Sequence, residues 1–154
     1  MSITIKEIDQ AIPCQALSIR TTNQAEANPQ TAKIGAMWQK FYQNYFTKLP
    51  QNINIYGIYC HYESDANGEF DVIAGFEKNE DSVIDSNELF DVTIPQGKYL
   101  VFSEEGTMPD AVITAWQTVW ECFDDANCKH TRLYDVDFEH YVSESQVDVY
   151  IGIE

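Results

Sequence analysis

What most limits how this chain can fold is that it is written twice. The stretch "INIYGIYCHYESDANGEFDVIAGFE" in the first half and "TRLYDVDFEHYVSESQVDVYIGIE" at the end each read as strand, turn and strand, and they close on nearly the same words, "DVIAGFE" and "DVYIGIE". An amphipathic segment precedes each one. In "NPQTAKIGAMWQKFYQNYF" the residues Ile34, Trp38, Phe41 and Tyr45 fall on one helical stripe, and in "TMPDAVITAWQTVWECF" Val112, Trp116, Trp120 and Phe123 do the same. Pro29 and Pro109 fall in the predicted first turns, where a missing N–H costs nothing. Ahead of each helix lies an extended segment, "IPCQALSIRT" and "IPQGKYLVFSEEG", so both halves run strand, helix, strand, strand and Trp38 corresponds to Trp120. The polar, acidic linker "KNEDSVIDSNE" separates pseudo-repeats of about 1–79 and 88–154. The expected fold is a single domain of α+β class, a tandem βαββ repeat with two antiparallel sheets side by side and two packed helices.

Charge narrows the function. The 154 residues carry 25 Asp and Glu against 9 Lys and Arg, a net charge of -16, and no basic stripe offsets it. Such a chain repels phosphate backbones, so direct nucleic-acid binding is not expected. The acid is concentrated in the second half, where residues 81–154 hold 16 acidic and 3 basic side chains against 9 and 6 in residues 1–80. No apolar run approaches the roughly 20 residues that span a bilayer. The start "MSITIKEIDQ" lacks the basic and apolar regions of a secretion signal, so a cytoplasmic protein is expected.

In that reducing setting Cys14, Cys60, Cys122 and Cys128, which form no CxxC pair, are read as buried small hydrophobes. A zinc site from Cys60 and His61, or from Cys122, Cys128 and His130, lacks ligand spacing of a known kind, and neither metal nor cofactor is expected. His61, His130 and His140 show no partnered spacing. No Gly-x-Ser-x-Gly elbow accompanies Ser103, Ser143 or Ser145, and there is no phosphate-cradling glycine loop.

The candidate site comes from the final hairpin. With Ser143, Glu144, Ser145 and Gln146 as its loop, Val142 pairs with Val147. Tyr141 then faces Asp148, Glu139 faces Tyr150, and Asp137 faces Gly152. Val147, Val149, Ile151 and Ile153, with Phe138 and Val142, would form the buried side. Asp135 and Asp137, near the strand start, are read as solvated. Glu139 and Asp148, interleaved with Tyr141 and Tyr150, suit an organic cation, since ring faces attract positive charge and a desolvated carboxylate needs a counter-ion. Tyr56, Tyr59, Tyr99 and Trp116 are further candidates for the wall. Trp38 and Trp120 are read as core.

The pieces "IPQGKYLVFSEEG", "AWQTVWECF", "DFEHY" and "VDVYIGI", in this order, resemble the GyrI-like family, the effector-binding domain found behind AraC-type and MerR-type DNA-binding domains and also alone. The resemblance spans essentially the whole chain. It implies a ligand pocket between the repeats for cationic, amphipathic, drug-like molecules, with an acidic residue at its floor; by position Glu139 matches that acid and Asp148 an acidic position in the last strand. No helix-turn-helix precedes the domain, so a stand-alone binding or sequestration module is expected. Other relatives imply two alternatives. One is an inhibitor of a protein partner, a regulator or topoisomerase such as DNA gyrase. The other is a hydrolase of reactive cyclopropane-type toxins, in which Glu139 would activate a water held by Tyr141 or Tyr99.

Overall fold

Runs of β-branched and aromatic residues build eight strands, and two amphipathic segments build the long helices. The computed structural model describes residues 2–65, 67–80 and 82–154. In chain order the elements are β1 (Ser2–Ile8), β2 (Ile12–Thr21), α1 (Asn23–Glu26), α2 (Ile34–Asn44), β3 (Ile55–Cys60), β4 (Phe70–Glu77), β5 (Phe90–Ile94), β6 (Gly97–Glu105), α3 (Asp110–Asp124), β7 (Arg132–Ser143) and β8 (Gln146–Ile153). The α+β class and the doubled strand–helix–strand–strand plan are as expected.

The two half-sheets are fused into one antiparallel sheet in the order β1-β6-β8-β7-β3-β4-β2-β5. β3 and β7 pair at the centre and join the halves. The outer edges are exchanged: β1, from the N-terminal end, pairs with β6 of the second half, while β5, which follows the linker, pairs with β2 of the first. Neither edge strand is announced by the repeated strand–helix–strand–strand unit, which starts at β2 and at β6; β1 and β5 precede it in equivalent places.

Both helices lie on one face of the sheet. Met37, Phe41 and Tyr45 anchor α2 over Phe70, Val72 and Phe76. Ala111, Ala115 and Val119 let α3 sit close on Leu100, Phe102, Val147, Val149 and Ile151. The stripe expected to bury α3 is therefore offset by one position, since Val112, Trp116 and Trp120 line a cavity beside the helix. α2 also begins later than expected, at Ile34, and Pro29 lies in the turn before it. The helix start is capped from a distance: the Glu26 carboxylate accepts from the backbone N–H groups of Lys33 (3.0 Å) and Ile34 (3.1 Å), and from the Thr21 hydroxyl (2.6 Å). It meets donors that the first helical turn leaves unpaired, at the positive end of the helix dipole.

The opposite face buries Cys14, Ala16, Tyr56, Ile58, Ile73, Ile94, Tyr99, Val101, Phe138 and Tyr150, and none of them belongs to a helix. Fully buried side chains on a helix-free face require the sheet to curl over itself, which its natural twist allows. The Phe138 and Tyr150 rings stack at 4.3 Å there. Of the cysteines, Cys14 and Cys60 are buried as expected, whereas Cys122 and Cys128 are only partly so.

Gly75 in β4 marks a close approach between paired strands. A Cβ there would lie 2.7 Å from the Ala16 Cβ and 2.8 Å from the Gln15 carbonyl oxygen. Gly75→Ala is expected to destabilise the fold by about 1–3 kcal/mol through overpacking. Urea unfolding should show a lower midpoint with an unchanged slope.

Candidate functional site

The turn of the last hairpin forms where expected, with Ser143 opposite Gln146, but a β-bulge between Tyr141 and Ser143 shifts the register below it by one residue. Tyr141 therefore pairs with Val147, Glu139 with Val149 and Asp137 with Ile151. One inserted residue sends alternate side chains to opposite faces. The expected single acidic face is thus divided. Glu139 and Tyr141 point to the helix side, while Asp148 and Tyr150 share the other side with Phe138 and His140. Tyr56 and Tyr99 pack with Phe138 and Tyr150 on that second side, away from Glu139. Val142, expected in the core, is exposed.

On the helix side a cavity of about 1360 Å³ opens between α2 and α3, with β3 and β7 as its floor. It spans the two halves, in the position the family resemblance implied for a pocket. Four of the expected residues line it: Glu139, Tyr141, Trp116 and Tyr59. Trp38 and Trp120, read from the sequence as core, line it as well, with Tyr42 and Phe46. Helical spacing cannot distinguish a stripe that faces a sheet from its neighbour that faces a cavity. Trp38 packs edge-on against Tyr141 at 5.3 Å, and Tyr59 lies 4.9 Å from Trp116. Among the lining residues Trp120 on one side and Tyr42 and Phe46 on the other are each about 40% exposed, apolar surface of the kind that marks a binding groove.

Glu139 is 2% exposed at the floor. Its Oε2 accepts from the Tyr59 hydroxyl at 2.8 Å and the Trp116 Nε1–H at 2.6 Å, and its Oε1 accepts from the Tyr141 hydroxyl at 2.7 Å. These donors are neutral. Burial raises the Glu139 pKa above the usual carboxylate range, and the bonds from Trp116, Tyr141 and Tyr59 oppose that rise. Burial and the adjacent Glu139 hold the Tyr59 and Tyr141 phenols well above the ordinary tyrosine value, so both remain donors. The carboxylate fits because Gly57 stands opposite it in β3. A Cβ on Gly57 would lie 2.5 Å from Glu139 Oε1 and 3.1 Å from Trp38 Cζ2.

Two residues earlier on the same strand, Asp137 contradicts the solvated reading. It is fully buried, pairs with Arg132 Nη2 at 2.8 Å, and accepts from the Tyr62 hydroxyl (2.5 Å) and the Gly152 N–H (2.9 Å). Asp135 is exposed. Arg132 is the basic side chain among the described residues of the cavity wall, and Asp137 neutralises it.

The fold and the cavity define an effector-binding domain of the GyrI-like kind. Residues 4–153 match the profile of Cass2, integron-associated effector binding protein, and the chain belongs to that family. It is similar to an integron cassette protein from the mobile metagenome of Vibrio cholerae, with 40% identity over 99% of this chain and 95% of that one and a TM-score of 0.90. The fold recurs in SAV2435 solved with tetraphenylphosphonium (17% identity, TM-score 0.67, covering 100% of this chain and 94% of that one). It recurs again in the EcmrR C-terminal domain (10% identity, TM-score 0.56, covering 99% and 97%). No curated protein sequence matches the chain. No helix among the described residues is long and apolar enough to cross a membrane.

Two outcomes test this geometry. Gly57→Ala should displace the Glu139 carboxylate from Trp116, destabilise the fold by about 1–3 kcal/mol, and shift the tryptophan emission. The raised pKa of Glu139 also has a sign. The unfolded chain releases this proton at the ordinary carboxylate value and the native chain at a higher one. The stability tied to the neutral acid is therefore complete below the ordinary value and is lost as pH rises through the native pKa. Urea titrations across that window should show wild type losing stability with rising pH relative to Glu139→Gln; parallel curves would contradict the assignment.

Proposed function

We propose that the cavity binds cationic, amphipathic, drug-like small molecules, with Glu139 as their counter-ion, and that the protein acts as an effector-binding or sequestration module. The observation that carries this reading is a buried carboxylate at the floor of an aromatic cavity, held only by neutral donors, in a wall whose basic residue is already paired. A buried charge without a counter-charge is costly, and a cationic guest relieves that cost. Trp38, Tyr59, Trp116 and Tyr141 offer ring faces worth about 0.5–2 kcal/mol each to a desolvated cation. Asp148, Tyr150, Tyr99 and Tyr56, on the far face, have no part in this reading. The solution of SAV2435, of like fold, with the organic cation tetraphenylphosphonium supports it. Both Glu139 oxygens are engaged by donors at 2.6–2.8 Å, an arrangement that favours an anionic receptor over a general base poised toward water.

Tryptophan quenching on titration with matched cationic, neutral and anionic aromatic compounds tests the proposal. Saturable binding of the cations is expected, weakened at least about tenfold, or 1.4 kcal/mol, by Glu139→Gln. Affinity should fall as pH drops below the Glu139 pKa, because the guest pairs with the ionised form. No saturable response, or equal affinity for all three charge types, would overturn it.

A further inference from the structure

A second cluster of chemically distinctive side chains lies outside the cavity, at the end of β3. Cys60 and Asp71 are directly opposed in the β3–β4 register, which places their Cβ atoms about 5 Å apart on one face. His61 follows with a left-handed backbone, φ 52°, and its ring returns to the pair. Its Nδ1 lies 3.5 Å from Cys60 Sγ and 2.7 Å from Asp71 Oδ2. The three candidate ligand atoms all fall within 4.8 Å of one another.

We propose that Cys60 Sγ, His61 Nδ1 and Asp71 Oδ2 form a binding site for a zinc-type divalent transition-metal ion. The donor set mixes thiolate, imidazole and carboxylate, which suits zinc and its neighbours and does not suit magnesium or calcium. Tetrahedral bonds of about 2.3 Å to sulfur and 2.0 Å to nitrogen put those two ligands about 3.5 Å apart, the separation already present between Cys60 and His61. The Nδ1–Oδ2 contact is that of a shared hydrogen, and a metal replacing the proton needs it to open by about half an ångström. The His61 side chain is 73% exposed and free to make that rotation.

The surroundings supply what a ligand set needs. Arg20 Nη1 donates to the His61 carbonyl oxygen at 3.1 Å and to Asp71 Oδ1 at 3.0 Å. One guanidinium therefore braces two of the three ligand residues and leaves Oδ2 for the ion, as outer partners of metal ligands do. A small cavity of about 230 Å³ adjoins Cys60 and His61 and is also lined by Thr93, Tyr134 and Asp135, leaving room for water in a fourth position. Coordination replaces the Cys60 thiol proton with the ion, as it does for coordinated thiols generally. The spacing of Cys60 and His61 resembles no familiar zinc pattern because the third ligand arrives from the neighbouring strand.

Titrating the full-length, metal-free protein with Co²⁺ tests the site. One equivalent should bind with thiolate-to-cobalt charge-transfer absorption, and Zn²⁺ should displace it. Cys60→Ser should abolish that absorption, and the surface variant His61→Ala, whose fold is checked by circular dichroism, should weaken binding at least about tenfold. The double variant Cys122→Ser, Cys128→Ser should bind like wild type. Absence of the absorption, its survival in Cys60→Ser, undiminished binding by His61→Ala, or its loss in the Cys122 and Cys128 variant would overturn the proposal.

Discussion

The pairing of β3 with β7 is the contact on which the rest of the structure depends. It joins two four-stranded half-sheets, each with a helix on it, into one sheet of eight strands. It also brings Gly57 opposite Glu139 at the seam, where the missing side chain leaves room for a carboxylate. The helices diverge above this seam because each is anchored to its own half, and the gap between them is the cavity. Tyr141 belongs to the apolar clusters under both helices, so the ring that donates to Glu139 also ties the halves together.

Two acidic residues on β7 show how surroundings set the role of a buried charge. Asp137 meets Arg132, Tyr62 and the Gly152 N–H, and its charge is balanced inside the protein. Glu139 receives an equally full set of hydrogen bonds, but from groups without formal charge. Hydrogen bonds satisfy the oxygens of a carboxylate without removing the cost of burying its charge. Asp137 therefore serves structure, and Glu139 is left without a charged partner among the groups that hold it.

Much of this architecture was legible in the residues. The repeated closing words of β4 and β8 reported a duplicated βαββ unit, and the apolar stripes of α2 and α3 reported two amphipathic helices. Glu139, Tyr141, Trp116 and Tyr59 were also singled out from the sequence, and the fold brings them to one cavity. The bulge after Tyr141 turns Asp148 and Tyr150 away from them, whereas Tyr56, three residues before Tyr59 on β3, and Tyr99 on β6 reach the other face through the alternation and pairing of their own strands. Alternation marks which residues share a face within a strand but not where an extra residue shifts one strand against its partner. The exchanged edge strands β1 and β5 were hidden because pairing between distant segments leaves no local period.

By itself the sequence determined what depends on short-range periodicity and composition: the element types, the doubled plan, the acidic balance, and the strand that carries Glu139. The tertiary structure alone decided which stripe of each helix meets the sheet and which meets the cavity. It also decided which carboxylate receives an arginine, and that Cys60, His61 and Asp71 meet. These outcomes depend on registers and crossings between segments far apart in the chain, where a shift of one residue reverses the face a side chain occupies.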